Sequence, residues 1–71
     1  MDNWRKKIRT GDIERASELA GYKRNSYYVS QKKPPEEWTT SMIAINRELK
    51  KLVVEREKER MEIISELENA D

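Results

Sequence analysis

The chain contains no cysteine and no histidine. Without cysteine it has no disulfide bond and no thiolate chemistry, and without histidine it lacks the commonest metal ligand and the usual base at neutral pH. A glycine-rich phosphate loop is also missing, since the chain has only two glycines. We therefore expect no enzyme, no metal or cofactor site and no small-molecule ligand.

Apolar residues are scarce, at 35% of 71 residues against 41% charged residues. A chain of this size forms at most one small domain with a marginal core, so we expect support from a partner chain. No apolar run approaches the roughly 18 residues that a membrane span requires, and no signal-peptide pattern stands at the N-terminus. These absences predict a cytoplasmic protein with no membrane contact.

The net charge of +1 hides a division along the chain. Residues 1–33 hold nine Lys or Arg against four Asp or Glu, whereas residues 34–71 hold six against ten. The first half is therefore at +5 and the second at −4. A basic region suits a polyanionic partner and an acidic region is repelled by one. Contact with nucleic acid is expected in the first half.

Apolar residues at helical spacing, separated by glycine and proline, predict an all-α chain without strands. Asp12 is expected to cap a helix that Gly21 ends. The next helix stops at two successive prolines, because proline cannot continue a helix and disfavours it at the preceding residue. The chain thus divides into a basic region, residues 1–33, and a long helix that completes the core, residues 34–71.

The second half carries one apolar seam with helical spacing. Its members step by three and four residues along Trp38, Met42, Ile45, Leu49 and Leu52. After a charged interruption, EREKER, the seam resumes on a slightly rotated face. A helix over residues 36–68 would be about 50 Å long at about 1.5 Å per residue, longer than a three-helix domain.

Dimerisation would bury the apolar side chains that such a domain cannot cover by itself. The expected dimer contacts are Leu49, Leu52, Val53, Met61, Ile64 and Leu67. The alternative is a monomer whose helix frays after about residue 55. The seam is compatible with both parallel and antiparallel pairing.

Two short helices joined by a glycine-containing turn, the second of them basic, form the pattern of a helix-turn-helix. In DIERASELAGYKRNSYYVSQKK, Ala16 and Ala20 are small inward residues, Gly21 makes the turn, and Tyr22 is expected to fill the angle between the helices. This stretch, residues 12–33, resembles the helix-turn-helix of phage repressor and Cro-like regulators and of small regulators of mobile elements. The resemblance implies a three-helix domain, double-stranded DNA as partner, and a homodimeric, repressor-like transcriptional regulator.

The side chains at the start of the second helix suit DNA. Arginine can form two hydrogen bonds to guanine and asparagine two to adenine, so Arg24 and Asn25 are the expected base readers. Ser26, Tyr28 and Gln31 can reach base edges or phosphate oxygens. The expected phosphate contacts are Lys23, Lys32, Lys33, Arg5, Lys6 and Lys7.

Two registers of this helix are open from the sequence. Alignment on the glycine turns Tyr27 and Ser30 inward. A turn longer by one or two residues gives the inward face instead to Tyr22, Ser26 and Val29. The register decides whether Tyr27 or Tyr28 is exposed to DNA.

A rival function is protein interaction or oligomerisation through the long acidic helix, with the N-terminal region as a scaffold. It predicts a protein partner and indifference to DNA. The gathering of basic residues in the compact half favours DNA binding. The residues do not distinguish a repressor from an activator or an architectural factor, and they do not give the operator sequence.

Overall fold

A computed structural model describes residues 4–69, and every regular element among them is helical. A 3-10 helix at Trp4–Lys7 precedes α1 at Asp12–Ala20 and α2 at Asn25–Ser30. A second 3-10 helix at Pro35–Glu37 precedes α3 at Thr40–Asn69. The predicted all-α fold with a long C-terminal helix is therefore confirmed, although that helix begins after the 3-10 turn rather than at residue 36.

Glycines in the left-handed conformation flank α1 on both sides. Gly11 has φ 92° and Gly21 has φ 78°. The N–H groups of Gly21 and Tyr22 donate to the Ser17 carbonyl oxygen at 2.9 and 3.1 Å, which ends the helix as predicted. The prediction that Asp12 caps α1 is wrong, because Gly11 takes the cap position and Asp12 is the first helical residue.

The core lies between α1, α2 and the first half of α3. Its buried apolar members are Ala16, Tyr27, Met42, Ile45, Leu49 and Val53. Partly buried side chains pack against the central cluster from Trp4, Ile8, Ile13, Ala20 and Leu52. α3 contacts α1, α2 and the first 3-10 helix, so it is the element around which the other helices assemble.

The prediction that a partner chain must cover Leu49, Leu52 and Val53 is wrong. Leu49 and Val53 have no exposed surface in the single chain, and Leu52 packs against the core. The N-terminal segment and α1 lie along α3 as far as its residues 56 and 57, which closes this face of the helix. Four turns of α3 thus belong to the domain core.

An ion pair ties the start of α1 to the middle of α3. Arg56 Nη1 donates to Asp12 Oδ1 at 2.9 Å, and Arg56 Nη2 donates to the Lys7 carbonyl oxygen at 2.7 Å. The Arg9 backbone N–H donates to Asp12 Oδ2 at 2.7 Å. Only 14% of the Asp12 side chain and 27% of the Arg56 side chain are exposed. The hydrogen bond from Arg56 holds the pKa of Asp12 below its ordinary value, against the opposing effect of burial.

Asp12→Asn is expected to lower the free energy of unfolding by about 1–2 kcal/mol at neutral pH, because Arg56 loses a charged hydrogen-bond partner. The folded state favours the ionised carboxylate. The contribution of this carboxylate to the free energy of unfolding is therefore present above the unfolded-state pKa of about 3.9. It is lost as the pH falls through the lower folded-state pKa.

Denaturant unfolding at a series of pH values measures this contribution. The curves of stability against pH for wild type and Asp12→Asn should run parallel above about pH 5 and converge below about pH 4. Glu14→Gln removes an exposed carboxylate from the same helical turn and is the matched control. A difference between wild type and Asp12→Asn that persists undiminished at about pH 2 would contradict the assignment.

The second half of α3 leaves the globular part of the molecule. Side chains from residue 58 to residue 69 are all exposed, and the molecule measures 50 × 26 × 17 Å along its principal axes. Met61 is 61% exposed, Ile63 56%, Ile64 36% and Leu67 71%. We call residues 58–69 the overhang. No helix described between residues 4 and 69 has the length and apolar character needed to cross a membrane.

Candidate nucleic-acid interface

α2 turns one face to the core and the other to solvent. Tyr27 is 6% exposed and Ser30 has no exposed surface, whereas Tyr28 is 50% exposed. The register with Tyr27 and Ser30 inward is therefore the observed one, with Val29 half-buried beside it. The prediction that Tyr22 fills the angle between the helices is wrong, because Tyr27 packs into the core there and Tyr22 is 43% exposed.

The exposed face of α2 continues into the segments before and after the helix. Tyr27 N–H donates to the Arg24 carbonyl oxygen at 3.0 Å, and Ser26 N–H to the Lys23 carbonyl oxygen at 3.1 Å, so the chain already turns helically before α2 begins. Ser26 is half-buried. The exposed predicted DNA-binding residues of this region, here called the α2 surface, are Lys23, Arg24, Asn25, Tyr28, Gln31, Lys32 and Lys33.

The α2 surface is uniformly non-acidic. No Asp or Glu occurs from residue 19 to residue 35, whereas four Lys or Arg do. Four of the nine Lys or Arg of the N-terminal half therefore belong to this surface, together with amide and phenol groups. Such groups can both neutralise phosphates and hydrogen-bond to base edges.

A buried hydrogen-bond network fixes the C-terminal end of α2 on α3. Asn46 is 5% exposed, and its Nδ2 donates to Ser30 Oγ at 3.0 Å and to the Met42 carbonyl oxygen at 2.8 Å. The Ser30 hydroxyl donates in turn to the Tyr27 carbonyl oxygen. Trp38 Nε1 donates to the Ser30 carbonyl oxygen at 2.9 Å. A serine can therefore occupy an inward position of α2, because its polar atoms are paired.

Arg5 belongs to this network. Its Nη1 donates to Asn46 Oδ1 at 3.1 Å. The guanidinium carbon lies 4.5 Å from the ring centroid of Trp4 and 5.9 Å from that of Trp38, close enough for cation–π contacts. The guanidinium predicted to hold a phosphate is thus bound within the protein. We assign Arg5 a positioning role behind α2.

The other two basic residues predicted at the N-terminus differ from each other. Lys7 Nζ lies 3.2 Å from Glu57 Oε2 and forms an ion pair with α3. Lys6 is exposed. These residues occupy a single 3-10 turn. Their side chains therefore do not form one continuous basic face, as they could along a longer first helix. Of the three, Lys6 is the most available for phosphate.

Asn46 is the one residue of the site that sequence reasoning missed. It lies directly after Ile45, within the stretch of the apolar seam where every third or fourth residue is buried. A polar side chain at a seam position is the signal that identifies it, because such a residue is retained only where it finds hydrogen-bond partners.

Within residues 4–69 no group of three acidic, histidine or cysteine side chains could hold a metal ion. A shallow groove on the outer side of α3 is lined by Arg47, Lys50, Lys51, Val54 and Glu55 and brings no hydrogen-bonding side chains together from different elements. Comparison with known protein families, curated proteins and solved structures gives no match for this chain.

Proposed function

We propose that this chain binds double-stranded DNA by placing α2 in the major groove, as a helix-turn-helix protein of the phage repressor and Cro-like type. The observation that carries the proposal is the two-sided character of α2. Tyr27 and Ser30 anchor it on the core, while Asn25 and Tyr28 face solvent on a surface without acidic residues. A recognition helix needs a rigid support behind it and polar donors in front.

Arg24 and Asn25 read bases in this proposal. Both are exposed at the N-terminal end of α2, the part of a recognition helix that contacts base edges. Arginine suits guanine O6 and N7, and asparagine suits adenine N6 and N7. Tyr28 and Gln31 follow one and two turns later and extend the readout. Ser26, which is half-buried, contacts the sugar-phosphate backbone in this proposal.

Lysines around α2 supply the phosphate contacts. Lys23 precedes the helix, Lys32 and Lys33 follow it, and Lys6 is exposed on the neighbouring 3-10 turn. Each neutralised phosphate contributes about 0.9 to the slope of log affinity against log salt, so these contacts make binding strongly salt-dependent.

The functional unit in this proposal is a homodimer that regulates transcription. A single domain of this kind reads only a half-site, and two-fold pairing lets two recognition helices bind one operator. The predicted dimer contacts that remain exposed in the single chain are Met61, Ile64 and Leu67. Occupation of the operator would then occlude or recruit polymerase, as the resemblance implies.

Arg24→Ala/Asn25→Ala is expected to lower the affinity for a selected duplex about 100-fold, since each two-bond base contact is worth about 1–3 kcal/mol and about 1.4 kcal/mol is tenfold. Selection from a random duplex pool at low salt supplies the site, and fluorescence anisotropy measures the affinity. Wild type should select a palindromic consensus.

Arg47→Ala is the matched control, because it removes an exposed arginine from α3 rather than from the α2 surface. It should change the affinity by less than about threefold, as expected for a charge outside the contact surface. Failure of wild type to bind any duplex at low salt would rule out the proposal. Equal losses of affinity in the double variant and in the control would indicate non-specific electrostatic attraction instead of base reading.

A second candidate function is a protein-interaction module that acts through the overhang. The exposed apolar side chains of Ile63, Ile64 and Leu67 favour it, because such residues on a helix that extends beyond its domain commonly bind another helix. This function predicts that the chain binds a different protein rather than DNA. The Arg24→Ala/Asn25→Ala variant should then bind that protein as wild type does.

A further inference from the structure

The apolar face of α3 in the core resumes on the overhang after the charged stretch EREKER. Leu49 and Val53 are fully buried, and steps of three and four residues lead from them through Arg56 and residue 60 to Ile63, Ile64 and Leu67. The same helix face is therefore covered by the domain in one half of α3 and open in the other. An exposed apolar helix face of this kind is typical of a surface that binds another chain.

Charge is distributed unevenly along the overhang. Its residues 61–69 contain three acidic residues and no basic one. At the opposite end of the overhang, where α3 leaves the domain, a groove is lined by Arg9, Arg56, Glu59, Arg60, Ile63 and Ile64. Lys7 and Arg9 line the adjoining groove with Glu57 and Arg60, and Lys7 is paired there with Glu57. The overhang thus has an acidic far end and a basic near end, here called the basic junction.

We propose that a second copy of this chain covers the overhang in antiparallel orientation, with the acidic end of each α3 against the basic junction of the other copy. Ile64 then lies beside the two-fold axis, and Leu67 of one copy packs near Met61 of the other. A parallel pair would instead bring together the six acidic residues of the two 61–69 segments without a basic one. Opposite charges therefore select the antiparallel pair.

This pairing deepens the proposed function, and its consequence for DNA rests on that function. α2 is anchored on α3 at Asn46, which precedes Ile64 by 18 residues. At about 1.5 Å per residue the anchor lies about 27 Å from the two-fold axis, so the two copies of α2 are at least about 54 Å apart. Half-sites on successive turns, about 34 Å apart, are too close. The pairing predicts half-sites two helical turns apart, about 68 Å or about 21 base pairs.

The dimer should be weak in the absence of DNA. An overlap of about a dozen residues per copy buries less than the roughly 800 Å² per partner of a standard interface, and we expect a dissociation constant on the order of 10–100 μM. Simultaneous binding of two half-sites would strengthen it, because the second contact becomes intramolecular.

Pulsed electron–electron double resonance on the full chain tests the orientation without DNA. The chain has no cysteine, so Arg47→Cys accepts a single spin label at an exposed site on α3. Residue 47 precedes Ile64 by 17 residues, so antiparallel pairing places two labels about 50–60 Å apart, whereas parallel pairing places them less than about 30 Å apart. The protein is held at about 200 μM, above the expected dissociation constant.

A label distance of about 50–60 Å that disappears in Arg47→Cys/Leu67→Glu supports the antiparallel pair. A distance below about 30 Å, or no dipolar coupling between labels, overturns it. Lys51→Cys provides a second label position with an expected distance of at least about 39 Å. An antiparallel dimer that binds no duplex would support the pairing and overturn the proposed DNA binding, so the two failures are distinguishable.

Discussion

Leu49→Ala is expected to lower the free energy of unfolding by about 3 kcal/mol, whereas Leu67→Ala should lower it by less than about 0.5 kcal/mol. Leu49 has no exposed surface, and Leu67 is 71% exposed. Removing a buried leucine side chain loses its transfer free energy and leaves a cavity, and neither loss applies to a side chain already in water. A loss of about 3 kcal/mol is a large part of the stability of a domain this small.

Urea unfolding followed by circular dichroism measures both variants. The two leucines belong to the same helix and undergo the same chemical change, so each is the control for the other. The protein should be kept at about 1 μM, below the expected dissociation constant of the dimer, so that only the monomer contributes. Equal losses would contradict the boundary drawn here between core and overhang.

Asn46→Leu is expected to reduce stability by about 2 kcal/mol and to weaken DNA binding, although its side chain is buried away from the α2 surface. The substitution removes the acceptor for Arg5 Nη1 and the donor for Ser30 Oγ. The Arg5 guanidinium is then left beside two tryptophan rings without its buried partner, and the C-terminal end of α2 loses its side-chain attachment to α3. A less firmly held α2 has to be ordered when DNA binds, which costs affinity.

A double-mutant cycle separates the pairing from other effects of the substitution. Asn46→Leu/Ser30→Ala replaces both members of one hydrogen bond by apolar groups. Its loss of unfolding free energy should be smaller than the sum of the losses in the two single variants.

Arg5→Lys keeps the charge but cannot reproduce the planar contact with the tryptophan rings. If Arg5 held a phosphate directly, Arg5→Lys would bind DNA normally. The positioning role predicts reduced binding.

The features that could be predicted from sequence are local ones. The end of α1 at Gly21 follows from the need for a positive φ. Two adjacent prolines predict a break before the long helix, although α2 already ends at Ser30, before they occur. The all-α fold and the continuous seam of α3 follow from apolar spacing. The inward register of Tyr27 and Ser30 was one of two possibilities, and it is realised because the serine hydroxyl finds a partner in Asn46.

The features that could not be predicted depend on contacts between distant parts of the chain. Asp12 and Arg56 are 44 residues apart, and their pairing sets how far the N-terminal segment covers α3. No periodicity encodes that distance, so the sequence predicts Leu49 and Val53 in a dimer interface although they belong to the core. The contact of Arg5 with Asn46 is equally non-local, at a separation of 41 residues. From sequence alone, Arg5 is indistinguishable from a surface arginine.

The most direct test of the central claim, that the α2 surface contacts DNA, is a titration of the isotope-labelled chain with a short duplex at low salt, followed by amide chemical shifts. We predict that the largest shift changes fall on residues 23–33 and on Lys6, with little change on the outer side of α3 from residue 47 to residue 55. Shift changes confined to α3, or no changes at a large excess of duplex, would contradict the claim.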